Sequence, residues 1–181
     1  MTLEQLAKQG RRTAAMTTAA TISSKMSQIR KESIKQAFCD FENVKYRYEL
    51  VDVIDGVTYY DDSAACSTES TWFSFDNLHL PMIWITYADN NDCDELMAQV
   101  RKYVKAIICI GENADKYMRI YGDILKDNIV ACDSLAKAVA QASLMSESGD
   151  NVMFSPAMHV RDGRTYDERG DEFKQYVHSL K

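Results

Sequence analysis

The chain has 181 residues, of which 46% are hydrophobic and 27% charged, and this balance indicates one globular domain with a smaller appendage. A net charge of -6 argues against a nucleic-acid partner, because no basic surface is available to neutralise phosphates. The apolar runs are far shorter than the roughly 20 residues that cross a bilayer, and the N-terminus lacks the apolar centre of a secretory signal, so we expect a cytoplasmic protein without a membrane segment.

The beginning of the chain is predicted to be helical. Residues 14–29 are rich in alanine and carry apolar residues at helical intervals, and residues 30–41 continue that period. We therefore assign residues 1–44 as a helical N-terminal segment and residues 45–181 as the main domain. The apolar stripe of the first helix needs a partner, and we expect it to support self-association or to contact another protein.

A β-hairpin is predicted next. β-Branched and aromatic residues surround Asp55 and Gly56, a dipeptide that tolerates the positive φ angles of a tight turn. The second strand of the hairpin ends at Asp62 and Ser63, and a Ser/Thr-rich helix start follows.

Strands and helices alternate in the rest of the chain. The predicted strands are residues 81–88, 105–111, 128–133 and 150–156, and the predicted helices are residues 93–104, 112–125, 134–145 and 170–181. Apolar strands separated by helices of this length are typical of a parallel sheet that is covered on both faces. The sequence therefore predicts an α/β fold: a doubly wound, mostly parallel, Rossmann-like sheet with an antiparallel hairpin, preceded by N-terminal helices.

Nucleotide-binding and metal-binding patterns are missing from the sequence. No G-x-G-x-x-G follows a predicted strand, and no G-x-x-x-x-G-K-[ST] occurs. The five cysteines are scattered without a C-x-x-C pair and the three histidines are isolated, so we expect reduced thiols and no metal site. Cys109 and Cys132 fall in predicted strands, where we expect them to pack in the core.

Three stretches resemble a known family. They are "IRKESIKQAFCDFENVKYRYELV", "GVTYYDDSAACST" and "DNVMFSPAMHVRDGRTYDERGDEF". In order and at similar spacing, they resemble the helix leading to H-R-x-E, the D-S-K-A-T-N motif, and the S-P-A-x-A-S-x-D and F-x-x-R-G-x-x-F motifs of the Mur ligases, bacterial enzymes of peptidoglycan-precursor synthesis. The resemblance covers about residues 10–181, is strongest for the members that add D-glutamate, and implies the fold of the family's C-terminal domain.

The resemblance also implies where a site would lie. In the family, ATP and substrate bind between a central P-loop domain and the C-terminal domain, and the reaction passes through an acyl phosphate. The positions that match residual nucleotide-binding residues are Arg47, Asp62 and Ser63. The positions that match a possible substrate cleft are Ser155, His159 and Tyr166.

Several motif positions depart from the family. Tyr46 stands where the family has His, Ala64 where it has Lys, Cys66 and Ser67 where it has Thr and Asn, and Val160 where it has Ser. The loop that matches the family's glycine-rich, basic loop reads "TYADNNDCDEL" and has no Lys or Arg. Each change removes a hydrogen-bond donor or a positive charge, which bound phosphates and carboxylates require.

These departures imply a pseudoenzyme without catalytic residues or a cofactor of its own. It would act as a binding or interaction domain, with a second copy or a Mur ligase-like protein as its partner. The alternative is a fragment or subunit of an active ligase, in which a separate part supplies the ATP and magnesium site. A small-molecule module that uses the strand ends is a third possibility.

Two interpretations remain open for individual residues of the motifs. Asp62 is either a retained nucleotide contact or a polar strand end that caps the next helix. Arg47 is either an anion site or part of a surface ion pair. His159 and Arg161 have no counterpart in the family pattern and could form a new site.

Overall fold

The computed structural model describes residues 45–78, 81–87, 94–111, 114–160 and 162–181. The predicted N-terminal helices, and the interface expected on them, lie outside these residues. The division at residue 44 therefore stays a prediction.

The described residues form six strands and five α-helices. In chain order these are β1 (Glu49–Ile54), β2 (Val57–Asp61), α1 (Thr68–Leu78), β3 (Met82–Tyr87), a 3-10 turn (Asp94–Leu96), α2 (Met97–Tyr103), β4 (Val104–Ile110), α3 (Ala114–Leu125), β5 (Ile129–Cys132), α4 (Leu135–Met145), β6 (Asn151–Phe154) and α5 (Tyr166–His178). They build one sheet in the order β1-β2-β6-β3-β4-β5. The β1–β2 pair is antiparallel and all other neighbouring pairs are parallel, which confirms the predicted fold class.

The core has one layer on each face of the sheet, because successive side chains of a strand point to opposite faces. On one face, Trp84 of β3 packs edge-on against Phe75 of α1 and Tyr121 of α3. On the other face, Phe154 of β6 packs against Phe173 of α5. The central strands are buried from both sides, and this explains their continuous apolar runs.

The structure tests the predicted burial of two cysteines and the predicted hairpin turn. Cys109 is fully buried in β4, as expected, whereas Cys132 is only partly buried because β5 is an edge strand. Asp55 and Gly56 join β1 to β2 with φ angles of 52° and 81°, as the tight-turn prediction requires.

Within the described part of the chain, no helix has the length and apolar character needed to cross a membrane.

The last helix begins earlier than predicted. α5 starts at Tyr166 and not at Gly170, because Thr165 and Glu168 form a capping box: the Thr165 side chain accepts from the Glu168 backbone N–H, and the Glu168 carboxylate accepts from the Thr165 backbone N–H. The T-Y-D-E spacing was a readable signal for this helix start.

Replacing Thr165 with alanine should therefore lower the free energy of unfolding by about 1 kcal/mol, because one cap donor loses its acceptor. Chemical denaturation of the purified protein measures the change. Thr165→Ser keeps the hydroxyl and should cost far less, so equal losses for the two variants would show that the capping hydroxyl is unimportant.

Candidate functional site

Asp62, just after β2, is the centre of a buried polar network. Its side chain is fully buried, and its Oδ2 accepts hydrogen bonds from the hydroxyls of Ser74 and Ser155, each at 2.8 Å. Its Oδ1 accepts the Tyr48 backbone N–H at 3.3 Å and lies 3.8 Å from the Arg47 guanidinium. The carboxylate thus joins α1, the segment after β6 and the segment before β1.

The sheet topology explains this meeting. β2 and β6 are parallel neighbours, and the Asp62 N–H continues their ladder by donating to the Phe154 carbonyl at 2.9 Å. Ser155 follows β6 directly, its N–H donates to the Ile85 carbonyl, and its hydroxyl lies 2.7 Å from that of Thr71. Two of the predicted strand ends therefore meet, but they meet inside the protein.

The charge of Asp62 is only partly compensated. Burial raises the pKa of Asp62 to about 6, while Arg47 and the two serine hydroxyls act in the opposite direction. Tyr48 stacks on Tyr60 with 5.0 Å between ring centroids. Burial is the main cause that raises the pKa of Tyr48 to about 12, and the nearby Tyr60 and Asp62 act in the same direction.

A second charged cluster surrounds Lys174 of α5. Its ammonium lies 2.7 Å from the Glu49 carboxylate, 3.3 Å from that of Asp61 and 4.1 Å from the centre of the Tyr46 ring. Although burial disfavours the charge, Glu49 and Asp61 raise the pKa of Lys174. The Tyr46 hydroxyl donates to Asp171 at 2.9 Å. Tyr46 is therefore held by contacts within the domain.

Ser63 is enclosed beneath α5. The residue is fully buried, and its backbone N–H donates to Asp61 at 2.9 Å. Gly170 of α5 lies directly over the Ser63 side chain. A Cβ at position 170 would stand only 2.5 Å from the Ser63 Oγ, so glycine permits this close packing. The helix thus closes over a residue that the sequence placed in a nucleotide site.

The three residues predicted to line a substrate cleft do not share one environment. Ser155 is fully buried against Asp62. His159 is exposed, and Tyr166 is 47% exposed with its ring edge-on to Tyr46 at 5.9 Å. Their assignment to a cleft stays a prediction, and Arg161 lies outside the described residues.

The residues at Asp62 do not fit a nucleotide in this arrangement. Asp62 and Ser63 have no exposed surface, and the cation that faces the carboxylate, Arg47, has 12% of its side chain exposed. A phosphate would bring further negative charge next to a carboxylate that is only partly compensated. Within the described ranges, no group of three or more His, Cys, Asp or Glu residues is arranged to hold a metal ion.

Arg169 supports the segment after β6. It is 3% exposed, and its guanidinium donates to Asp162 at 2.9 Å and to the Arg164 carbonyl at 2.8 Å. No local sequence pattern shows that the Arg169 side chain would be buried.

Replacing Arg169 with methionine should lower the free energy of unfolding by about 2 kcal/mol, because Asp162 loses its buried partner. Asp162 keeps its contact with Arg164 and is itself partly exposed, which limits the loss. Arg164→Met is the matched control: its side chain is 42% exposed, so we expect less than about 1 kcal/mol. Urea denaturation compares the two, and equal losses would contradict a special role for Arg169.

Comparison with known proteins places this architecture in a family. No family model matches the chain. The UDP-N-acetylmuramoylalanine--D-glutamate ligase of Christiangramia forsetii is 34% identical in an alignment 183 residues long, which covers 99% of this chain and 41% of that protein. The enzyme of the same name from Salinibacter ruber is 31% identical in an alignment of the same length, which covers 99% of this chain and 40% of that protein. The chain is a homologue of the Mur ligases.

Solved Mur ligase structures share the fold. The MurF ligase of Thermotoga maritima, solved in complex with ADP, aligns with a TM-score of 0.53 at 18% identity and covers 78% of this chain and 33% of that one. The UDP-N-acetylmuramate-alanine ligase MurC of the same organism aligns with a TM-score of 0.51 at 11% identity and covers 78% of this chain and 32% of that one. This Mur ligase homologue spans about two fifths of the length of the curated relatives named above.

Proposed function

We propose that this Mur ligase homologue is a non-catalytic binding or interaction domain of bacterial peptidoglycan-precursor synthesis in the cytoplasm. The observation that supports this is the closed network at Asp62. The carboxylate and its neighbour Ser63 are used inside the domain, by α1, the segment after β6 and α5.

The chemistry of ligation supports the same proposal. An acyl-phosphate reaction needs cations on the phosphates and on the substrate carboxylate, and each charge-assisted contact is worth roughly 1.5–3 kcal/mol. Ala64 offers no charge where the resemblance places a lysine, and Lys174 is engaged by Glu49 and Asp61. Several missing contacts together would leave the anions of the reaction without compensation.

A phosphate-release assay tests the proposal. The chain is incubated with ATP, magnesium, UDP-N-acetylmuramoyl-L-alanine and D-glutamate, beside an active D-glutamate ligase under the same conditions. We expect no release above the enzyme-free background from the chain, and no heat of ATP binding in calorimetry. Turnover by the chain alone would overturn the proposal.

The alternative, a part of an active ligase that another polypeptide completes, is favoured by one observation. Identity to proteins named as ligases extends over 99% of the chain. Phosphate release in a mixture with a P-loop domain from such a ligase, but with neither component alone, would establish this alternative.

The proposed partner is a second copy or a Mur ligase-like protein, contacted through the N-terminal segment of residues 1–44. We expect the chain to sediment as an oligomer at micromolar concentration, because the apolar stripe predicted for residues 14–29 needs cover. Deleting residues 1–29 should give a monomer. A full-length chain that already sediments as a monomer, with solubility unchanged by the deletion, would contradict this contact.

A further inference from the structure

The segment Lys45–Tyr48, which we call the entry segment, has an unusual backbone. Tyr46 and Tyr48 have φ angles of 66° and 48°, in the left-handed region that bulky L-residues disfavour. Such conformations persist where surrounding contacts hold them, and they cluster in segments that switch. The entry segment directly follows residue 44, so it is the covalent path from the first 44 residues to the α/β domain.

Carboxylates hold the entry segment. The Tyr46 N–H donates to Glu49 at 2.7 Å, and the Tyr46 carbonyl accepts the Ala64 N–H at 3.0 Å. At the other end, the Tyr48 N–H and the Arg47 guanidinium both face Asp62. Asp62 is thus the buried anchor of the strained segment.

We propose that Asp62 is a pH-sensitive latch for the entry segment, which closes over the protonated carboxyl and opens more readily when the carboxyl is ionised. The physical reason is solvation. In the closed state the carboxyl is fully buried, and burial penalises its charge. Opening admits water and returns its pKa toward the ordinary value, so closing takes up a proton and acid favours the closed state.

The other groups around Asp62 do not provide this switch. A guanidinium does not lose its proton in proteins, and Tyr48 stays neutral because its pKa is raised to about 12. α1 and the segment after β6 contribute the hydroxyls of Ser74 and Ser155. The remaining candidate is Asp61, the neighbour in the chain.

Asp61 is the natural control for the latch. Burial also raises the pKa of Asp61, but Lys174 of α5 lies 3.3 Å from its carboxylate and acts against that rise. Asp61 also contacts the Ser63 N–H and not the Tyr48 N–H.

Hydrogen exchange measured by NMR tests the latch. The reporter is the Ala64 amide, which is protected by the Tyr46 carbonyl, and its protection factor is corrected for the intrinsic exchange rate at pH 5 and pH 7.5. We expect roughly 10-fold lower protection at pH 7.5, within the ceiling of about 100-fold that a two-unit pKa difference allows. At both pH values the Ala64 amide should be less protected than the core amide of Ile108, because opening of the latch is local whereas Ile108 exchanges through global unfolding.

Two variants show which carboxyl group causes the pH dependence of protection at Ala64. Asp62→Asn should bring the change at Ala64 to within about two-fold, and Asp61→Asn should keep it. Loss of the pH dependence in Asp61→Asn, its survival in Asp62→Asn, or equal protection of Ala64 and Ile108 would each overturn the latch. If Asp62→Asn does not fold, titration of the wild type decides: the Asp62 carboxyl carbon and the Tyr48 amide nitrogen must share one midpoint, and separate midpoints would overturn the proposal.

Discussion

Gly170→Ala is expected to lower the free energy of unfolding by about 3 kcal/mol, although alanine is the better helix former. A Cβ at this position would stand 2.5 Å from both the Ser63 Oγ and the Tyr46 ring, and 2.6 Å from the Asp61 carboxylate. Ser63 and Asp61 are fully buried and Tyr46 is 8% exposed, so none of them can move aside cheaply. Overpacking of this kind typically costs more than the helix propensity returns.

Gly122→Ala is the matched control for this prediction. Gly122 also lies inside a helix, α3, but a Cβ there would meet nothing within 4 Å. Alanine at this position should stabilise the protein by up to about 1 kcal/mol. Chemical denaturation measures both variants, and a neutral or stabilising Gly170→Ala would show that α5 does not close tightly over Ser63.

The second large effect is an unusual pH dependence of global stability. The free energy of unfolding should decrease by about 2 kcal/mol between roughly pH 4 and pH 6, because Asp62 has a pKa of about 6 in the folded state and an ordinary value in the unfolded chain. In that window the folded state binds more protons than the unfolded state. The contribution is therefore fully present below the window and is lost as pH rises through the folded pKa.

Other carboxyl groups lower the free energy of unfolding at more acidic pH. Hydrogen bonds and nearby cations lower the pKa of Asp52 and Asp133, so their contribution is lost as pH falls through those lowered values. Stability should therefore be greatest near pH 4, well on the acid side of neutrality.

Urea denaturation at a series of pH values checks the prediction for Asp62. Asp62→Asn should flatten the decrease and should be at least as stable as the wild type at pH 7.5, since it removes a buried charge. Asp133→Asn, at an exposed position, should leave the slope between pH 4 and pH 6 unchanged. A wild type that gains stability from pH 4 to pH 6 would show that the Asp62 charge is better compensated than its contacts indicate.

The residues that build the core of this domain are separate from the residues at its strand ends. The apolar strand and helix patterns that build the sheet are independent of the residues at the strand ends. The partners at the ends of β2 and β6 can therefore change while the core stays intact, and here the Asp62 carboxylate accepts the Ser155 hydroxyl.

Secondary structure was predictable where periodicity was strong. The apolar runs of β3, β4 and β6 and the Asp55-Gly56 turn were all readable, because burial on both faces and positive φ angles each demand particular residues. The start of α5 was missed because the T-Y-D-E capping signal stood in a polar stretch without apolar period.

The sequence alone determined the α/β class, the parallel sheet with its hairpin, and the resemblance to Mur ligases, because all three depend on local patterns and ordered motifs. Only the tertiary structure decided that Asp62, Ser63 and Ser155 point inward, with Gly170 of α5 closed over Ser63. Burial and hydrogen-bond partners come from distant segments, 93 residues apart for Asp62 and Ser155, and no local pattern specifies which distant hydroxyl reaches a carboxylate.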